Sequence, residues 1–596
     1  MTAHAGSFRD GAPILGVERS VSGRFWRSRV SDERLALAIA QAHDLPEVIG
    51  RVLAGRGVTT DDALQYMSPS LRDLLPDPST LPDMDAAADR LADAAAKGEA
   101  ITVFGDYDVD GATSSALLVR YFRAAGIDVA TYIPDRLTEG YGPNTVAMRK
   151  LAAQGTRVVV TVDCGTLAFE PLSAAADAGL DVIVIDHHMA EPELPRARAV
   201  VNPNRLDAAP GLGQLAAVGV AFLLVVAVNR ALRKRGWFSQ RPEPSLLQWL
   251  DLVALGTVCD MVPITGLNRA FVAQGLKIAA QRSNTGLAAL ADIAGVRERM
   301  GCYHLGFLLG PRVNAGGRIG RSDLGTLLLS TEDAGEAMAI AQELHRLNAD
   351  RRTIEAGVQE EALRAAASQA NMAAIVVAGQ GWHPGVVGIV ATRVKDAFNR
   401  PAVVIGLNEG VGKGSGRSVA GFDLGAAIIA ARQAGLLEAG GGHAMAAGLT
   451  IAPDKVDAFH AFLEARAEGT LGVDPPRPSL GLDGALAAEG ATTDLVAMLE
   501  RAGPYGQGNR EPRFALAGVR VVKADIVGTD HVRVILSGGA GGRLKGIAFR
   551  SAAETVGQAL LGAGGRKLHI AGTLRTDTWQ GREDVQLHID DVAPAD

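Results

Sequence analysis

Cysteine is scarce. Cys164, Cys259 and Cys302 are the only three in 596 residues, and none shares metal-ligand spacing with another. That excludes a disulfide-stapled secreted scaffold and fits a reducing, cytoplasmic setting. Aromatics make up 5% of the chain, so a surface paved with rings is not expected. Net positive charge is missing too. At −7 the chain has no global basic field, and any contact with nucleic acid must come from local patches. Long apolar runs are also absent. The longest, Leu215 to Val228, is short for a bilayer and runs straight into Asn229-Arg230. It reads as a buried core helix, and no membrane partner is expected. Met1 to Asp10 has no apolar core of the signal-peptide kind. Neither an internal repeat nor a low-complexity tract is found.

A chain of this length calls for about three domains. Up to about residue 80 there is a charged extension with a helical pattern around Asp32–Leu53. From there the pattern alternates: helix at Leu91–Lys97, strand at Ile101–Phe104, helix at Thr113–Ala125, strand at Val129–Ile133, helix at Thr145–Ala153, strand at Val158–Val162. This rhythm predicts an α/β fold with a doubly wound parallel sheet over residues 81–330. Residues 331–370, rich in Ala, Glu, Leu and Arg, read as a long connecting helix. Residues 371–470 form a second α/β unit, with strands at Ala373–Val377 and Ala402–Ile405 and glycine-rich loops at 412–418 and 440–448. Asp474-Pro-Pro-Arg-Pro478 signals a linker. Residues 479–596 carry five short alternating strands and predict an OB-like β-barrel. Between Pro512 and Arg550 seven Lys/Arg stand against two Asp, a local basic patch.

The most informative residues lie at the ends of apolar runs. Asp181-Val-Ile-Val-Ile185 stops on Asp186-His187-His188. Ile101–Phe104 leads into Gly105-Asp-Tyr-Asp-Val-Asp-Gly111, and Val158–Val162 into Asp163-Cys164-Gly165. Leu252–Leu255, also strand-like, leads to Asp260. Carboxylates and imidazoles delivered together at a sheet's carboxyl edge suggest a site for two hard divalent cations, Mn²⁺ or Mg²⁺. Asp106 and Asp108, two apart, would project to one side of the edge. Asp163 could bridge two ions, and His187 and Asp260 would complete the second position. Such a pair clamps the attacking and leaving oxygens of a phosphodiester. Singly, each Asp could instead cap a helix; the recurrence at four run ends favours ligation. His188, beside His187, would touch the phosphate rather than serve only structure.

Arginines among glycines suggest phosphate contacts: Arg312 and Arg318 in Gly310-Pro-Arg-Val-Asn-Ala-Gly-Gly-Arg318, and Ser415 with Arg417 in the 412–418 loop. Each Arg taken alone is about as well explained as a solvated surface charge. His443, in the second glycine-rich loop, is in the same position. Cys164 and Cys259 lack a thiolate partner set and read as packing residues. Glu409-Gly-Val-Gly-Lys-Gly414 fails as a phosphate loop, because no Ser or Thr follows Lys413.

As an ordered set these motifs resemble the DHH phosphoesterase superfamily, named for the Asp-His-His at 186–188. Gly441-Gly-His-Ala-Met-Ala-Ala-Gly448 looks like its DHHA1-type second domain. The 310–318 motif and Gly503-Pro-Tyr-Gly-Gln-Gly-Asn509-Arg-Glu-Pro512 point to the RecJ family of bacterial single-strand-specific 5′→3′ DNA exonucleases. The resemblance covers about Leu81 to the C-terminus. It implies Asp106, Asp108, Asp163, His187 and Asp260 as metal ligands, His188 at the scissile phosphate, and Arg136, Ser415 and Arg417 on a 5′-terminal phosphate, with Arg318 near the DNA. It implies work in recombination and repair on single-stranded DNA, beside single-strand-binding protein and a RecQ-type helicase. Many superfamily members carry a His four residues before the first Asp; Thr102 stands there, which implies a more hydrated ion at Asp106. Two alternatives are a DHH phosphodiesterase for oligoribonucleotides or cyclic dinucleotides, which would not need the barrel, and an inactive DHH replication scaffold, which should have lost ligands.

Overall fold

The computed structural model describes residues 13–595 except 137, 472–477 and 578–582. The first ten residues, and the expected linker apart from Pro478, lie outside the described residues. Near the N-terminus, β1 (Phe25–Ser28) is followed by two short helices, Glu33–Ala42 and Glu47–Ala54.

The first sheet contains β2 (Ile101–Gly105), β3 (Val129–Tyr132), β4 (Val158–Val162), β5 (Asp181–Ile185) and β6 (Ala199–Val201), in the order β3-β2-β4-β5-β6. Every pairing is parallel. β2 and β4 are buried along their whole length, as unbroken Val/Ile/Phe runs covered on both faces must be. The chain leaves β2 toward β3 and returns to β4 on β2's other side. The order thus reverses between β2 and β4, and at such a reversal a crevice opens beyond the strands' carboxyl ends.

Three helices close one side: α1 (Val109–Ala124), α2 (Ala217–Lys234) and α3 (Leu250–Cys259). α2 holds most of the longest apolar run and is buried through Val228 except at Val226, and no helix among the described residues is long and apolar enough to cross a membrane. α3 corrects one expectation. Leu252–Leu255 is not a strand but the middle of a helix buried on all sides. A short run that is apolar all round cannot be told from a buried strand by periodicity.

A π-helical turn at His304–Leu309 runs into α4 (Gly310–Ile319). α5 (Ala334–Ala367) then spans 34 residues, capped by Asp333 Oδ1 accepting from Glu336 N. It bridges to the second sheet: β7 (Ile375–Gln380), α6 (Pro384–Phe398), β8 (Ala402–Asn408), β9 (Val411–Arg417), β10 (Ala439–His443) and β11 (Ala446–Ile451), ordered β10-β11-β9-β8-β7. Both glycine-rich segments expected as loops contain strands, β9 and β10. In β9 a Cβ on Gly412, Gly414 or Gly416 would come within 2.8 Å of Ile451, Leu449 or Leu424. Close packing overhead, not a turn, requires these glycines.

β12 (Ser479–Leu482) and β13 (Gly484–Leu486) precede the barrel strands β14 (Phe514–Val527), β15 (His531–Ser537), β16 (Arg543–Ala548), β17 (Lys567–Asp577) and β18 (Asp584–Pro594). The ring β14-β15-β16-β18-β17 closes on itself through β14–β17. The N-terminal segment is built into this domain. β1 pairs in parallel with β12, Phe25 opposite Ser479. Ile39, Ile49 and Leu53 share one core with Phe514, Leu516 and Leu587. Buried Trp26 donates from Nε1 to Asp591 Oδ2 at 2.9 Å. Arg29 and Arg56 both bond to Asp483, which is fully buried.

Candidate metal centre and phosphate cleft

The crevice between β2 and β4 is lined by the residues that follow these strands. A Cβ on Gly111 would lie 2.5 Å from the Asp106 carbonyl oxygen, so only glycine lets α1 begin this close to the strand end. Asp108 caps α1: its Oδ1 accepts from Asp110 N at 2.9 Å and Gly111 N at 3.1 Å. Capping and facing the crevice are therefore compatible for this residue. Asp163 follows β4 with φ +61°, a left-handed backbone that L residues other than Asn, Asp and Gly rarely take. Its carbonyl accepts from Tyr141 Oη at 2.8 Å. Asp260 is the C-cap of α3.

At the end of β5 the three residues divide their work. Asp186 faces inward, accepting from Thr166 N at 3.0 Å and from His188 Nδ1 at 2.7 Å. That commits the Nδ1 proton of His188 and leaves its Nε2 to the crevice. Asn204 and Asn202 donate to the carbonyls of His187 and His188 and hold this turn. His187 Nε2 points at carboxylates: 3.3 Å to Asp163 Oδ1, 3.6 Å to Asp260 Oδ2 and 4.0 Å to Asp110 Oδ2. Thr102, where many DHH proteins have a His, bonds instead to Thr156 Oγ1 at 2.9 Å.

Buried like charges dominate the electrostatics. Burial, then the neighbouring Asp108, raises the carboxyl of Asp106 well above its ordinary range. Burial and the charges of Asp108, Asp110 and Asp106 do the same to Asp163. Asp260 is pushed up to about 9 by burial, then Asp110 and Asp108. His187 is pushed down to about 4 by burial and the charge of His188. Burial opposes ionisation of Asp186, yet its bond to His188 and that ring's charge hold it below the usual carboxylate range.

Three groups each bring ligand atoms within 4.8 Å of one another: Asp106, Asp108, Asp163; Asp163, His187, His188; and Asp110, His187, Asp260. Asp106 Oδ1, Asp163 Oδ1, His187 Nε2 and Asp260 Oδ2 are buried without a hydrogen-bond partner. Buried polar atoms normally find partners. Oxygen-rich, partnerless and crowded, this set fits hard divalent cations. Asp110 was not singled out by the sequence pattern. Its carboxylate accepts from Ala217 N and Val218 N, at 2.6 and 3.0 Å, and ties the start of α2 to the site. As the third Asp of an Asp-x-Asp-x-Asp run, it could have been noticed.

A proton test follows. The raised carboxylates hold protons in the metal-free fold that the unfolded chain would release. Their contribution to stability is full below the ordinary value of 3.8 and is lost as pH rises toward about 9. Metal must displace those protons. The rise in Tm on adding Mn²⁺ should therefore be larger at about pH 8.5 than at about pH 6. Differential scanning calorimetry checks it, and equal rises would contradict the assignment.

Across the crevice lies an arginine cleft. Arg318, at the end of α4, donates to Gly385 O at 2.8 Å. Burial, then Arg136 and Arg351, push it down to about 10, with Arg417 also near. The Arg136 guanidinium sits 5.0 Å from the Tyr107 ring, and its charge reaches Asp106. Arg417 Nη1 donates to Ser415 Oγ at 3.0 Å, and burial lowers its pKa. Gly388 in α6 makes room for both. Arg136, Arg318, Ser415 and Arg417 thus converge from both sheets beside Asp106 and Asp108. Arg312 does not join them; it donates to His345 Nδ1 and Leu308 O near α5. His443 ends β10 and is exposed. His383 caps α6, its Nδ1 accepting from Gly385 N.

Comparison with known proteins agrees with this layout. The DHH family N-terminal domain matches residues 100–257, the DHHA1 domain 369–469 and the RecJ OB domain 482–591. The single-stranded-DNA-specific exonuclease RecJ of Dickeya dadantii is 37% identical over 92% of this chain and 96% of its own. The Escherichia coli enzyme of that name is 36% identical over 92% and 96%. A crystal structure of RecJ with Mn²⁺ from Thermus thermophilus superimposes with a TM-score of 0.79 at 31% identity, covering 94% of this chain and 78% of that one. A second RecJ structure, bound to manganese, is 37% identical over 66% of this chain and 95% of that one, with a TM-score of 0.56. On the identity and coverage of these relatives, the chain belongs to the RecJ family.

Proposed function

We propose that this protein is a metal-dependent exonuclease that degrades single-stranded DNA from the 5′ end to 5′-mononucleotides. The observation that carries the reading is the meeting of two half-sites, partnerless ligand atoms at the β2/β4 edge and a carboxylate-poor arginine cleft facing them. Asp106, Asp108 and Asp163 would hold one cation; Asp163, His187 and Asp260 would hold the other. Bound Mn²⁺ or Mg²⁺ supplies Lewis acidity and an activated nucleophile at neutral pH. His188, fixed by Asp186, offers Nε2 to the scissile phosphate. Arg136, Arg318, Ser415 and Arg417 grip the 5′-terminal phosphate and set the register, so that the 3′ oxygen of the first nucleotide leaves. Arg312 lies farther along the strand, and His443 near the rim. Recombination and repair in the cytoplasm is the setting we propose, on strands opened by a RecQ-type helicase and coated by single-strand-binding protein. The barrel argues against a dinucleotide phosphodiesterase, and the intact Asp/His set against an inactive scaffold.

End-labelled single strands test it. With Mn²⁺ or Mg²⁺, a 5′ label should appear as mononucleotide from the first turnovers and a 3′ label only as strands shorten to their ends; EDTA should stop both. Early mononucleotide release from the 3′ label would reverse the polarity.

The barrel gives a separate expectation. Truncation after Val473 alone would strip the cover from Ile39, Ile49 and Leu53, and such a protein should aggregate. Removing residues before about 70 as well, which takes away Ala63 and Met67 of the barrel core but keeps Leu71, Leu74 and Leu75 on the first α/β core, should give a soluble protein that still cleaves very short strands. Its KM for long strands should rise roughly ten-fold or more, as lost phosphate contacts predict. Size-exclusion chromatography and a length series measure both effects.

A further inference from the structure

Gly503-Pro-Tyr-Gly-Gln-Gly-Asn509 supplies nothing to the cation or phosphate sites, yet it is tightly built. Gly506 N donates to Asn509 O at 2.9 Å and closes a turn. Asn509 is fully buried. Its Nδ2 donates to Ala502 O and Pro504 O, and its Oδ1 accepts from Arg56 Nε at 2.8 Å. Arg269, on the helix Gly266–Ala279 of the first α/β domain, is 2% exposed. It donates to Gly503 O and to Tyr66 O, with its guanidinium 3.8 Å from the centre of the Tyr66 ring. The barrel domain, the N-terminal segment and the first α/β domain meet at this turn.

What the turn touches is the stretch that follows Asp260. Ile264 N donates to Gln507 O at 2.7 Å. A Cβ on Gly508 would lie 2.9 Å from Pro263 Cβ, and one on Gly506 would lie 2.5 Å from Ile264 Cδ1, so glycine is needed for this close approach. Between Asp260 and the contact, Met261 has φ +63°. A side chain of this size keeps such a backbone only where its surroundings hold it. The Met261 side chain is 63% exposed, so the hold comes through the chain on either side, from α3 and from Pro263–Ile264. The same contact reaches His187. Asn268, fully buried, donates to Pro263 O at 3.0 Å and to Gln214 O at 2.6 Å. Leu215, the next residue, hydrogen-bonds the His187 ring through its backbone. Asp260 and His187 are the ligands assigned above to the second cation alone. Asp106 and Asp108 stand at the end of β2 and the cap of α1, outside this chain of bonds.

We infer that the turn 503–509 is a positioning clamp for the second cation. Through Pro263, Ile264 and Asn268 it holds Asp260 and His187 in register with each other before the ion arrives. Ligands oriented by outer partners bind more tightly, because less ordering is left to the binding step. The barrel domain thereby sets how much metal the enzyme needs, besides any hold it has on the strand. Ample metal orders loose ligands by mass action, so a protein without the barrel still cleaves but needs more Mn²⁺. This inference rests on the two-cation reading above.

The test uses the full-length protein and Mn²⁺. Gly508→Ala drives a methyl group against Pro263. Isothermal titration calorimetry without DNA should show two ions in wild type, and in this variant one of the two weakened about ten-fold, the scale for disturbing an outer partner of a metal ligand. The Mn²⁺ concentration for half-maximal cleavage should rise by a similar factor, while kcat at saturating Mn²⁺ and KM for the strand stay as they are. Added to Asp260→Asn, which already lacks the clamped carboxylate, Gly508→Ala should cost no further metal affinity. Gln507→Ala keeps the carbonyl that holds Ile264 and should match wild type. If melting shows Gly508→Ala to be unfolded, Gly506→Ala, which meets the tip of the Ile264 side chain, should weaken the same ion by a smaller factor. Wild-type Mn²⁺ affinities in a folded glycine variant, or a raised KM with the metal need unchanged, would overturn the clamp and leave the turn as a joint between domains. Failure of wild type to bind two Mn²⁺ would instead sink the reading on which it rests.

Discussion

Asp163→Asn should abolish hydrolysis while making the metal-free protein more stable. Asn tolerates the left-handed backbone found at Asp163, so the turn after β4 survives. What disappears is a carboxylate that burial and four neighbouring acids hold far above its ordinary range. Removing it relieves repulsion near pH 8. It also removes one of the two carboxylate oxygens, and with it the means to serve both proposed cation positions. Activity should fall on the order of 10⁴-fold or more, the scale seen when one member of a cooperating catalytic set is lost. The Tm without metal should rise, and the Mn²⁺-induced increase should largely vanish. A residue that served only the fold would give the opposite pattern, lower Tm with activity lost in proportion. Circular dichroism melts with and without Mn²⁺, beside a single-turnover assay, separate the two.

The second large effect concerns Arg417. This guanidinium is largely buried, and among the described residues its hydrogen bonds go to a hydroxyl and a carbonyl rather than a carboxylate. Arg318, more deeply buried still, has Arg136 and Arg351 as its strongest charged neighbours. Asp108 acts on Arg318 only after these cations, so positive charge is in excess here; buried cations in excess are costly, and several together call for a dianion. A 5′-terminal phosphate is that group, and it distinguishes an end from the strand's interior. Arg417→Ala should slow digestion of 5′-phosphorylated strands about 10- to 100-fold, the worth of one or two charge-assisted hydrogen bonds. Strands with a 5′-hydroxyl should be affected little. Because the readout is a ratio between two substrates, a general folding defect cancels. Equal slowing on both would make Arg417 a general strand contact and end its role as end sensor.

How much of this was legible in sequence depended on range. Strand ends at Asp106, Asp163 and Asp186 were visible because a parallel strand buried on both faces must be an apolar run with its polar residues at the tip. The five barrel strands were visible from their alternation. The run Leu252–Leu255 that leads to Asp260 reads as a strand because an all-apolar helix shows no period. The strand at Val411–Arg417 is hidden because its glycines answer to Leu449, Ile451 and Leu424, and the one at Ala439–His443 because Gly440 answers to Ile428 and Gly442 to Ala447 across the hairpin, residues met only after folding. The convergence of Arg136 and Arg318 with Arg417 joins segments far apart in the chain and has no local signal. Nor does the pairing of Phe25 with Ser479.

That last pairing has a consequence in time rather than space. The segment around β1 is made early, yet the strand and core it needs are made some 450 residues later. At about 5–20 residues per second, Trp26, Ile39, Ile49 and Leu53 wait roughly 20 to 90 seconds for their partners. Both α/β domains can be finished before β1 meets β12. The newborn chain is thus sticky along this segment until the barrel is made. A codon change that slows elongation beyond residue 370 should raise its aggregation without touching a single residue of the folded protein.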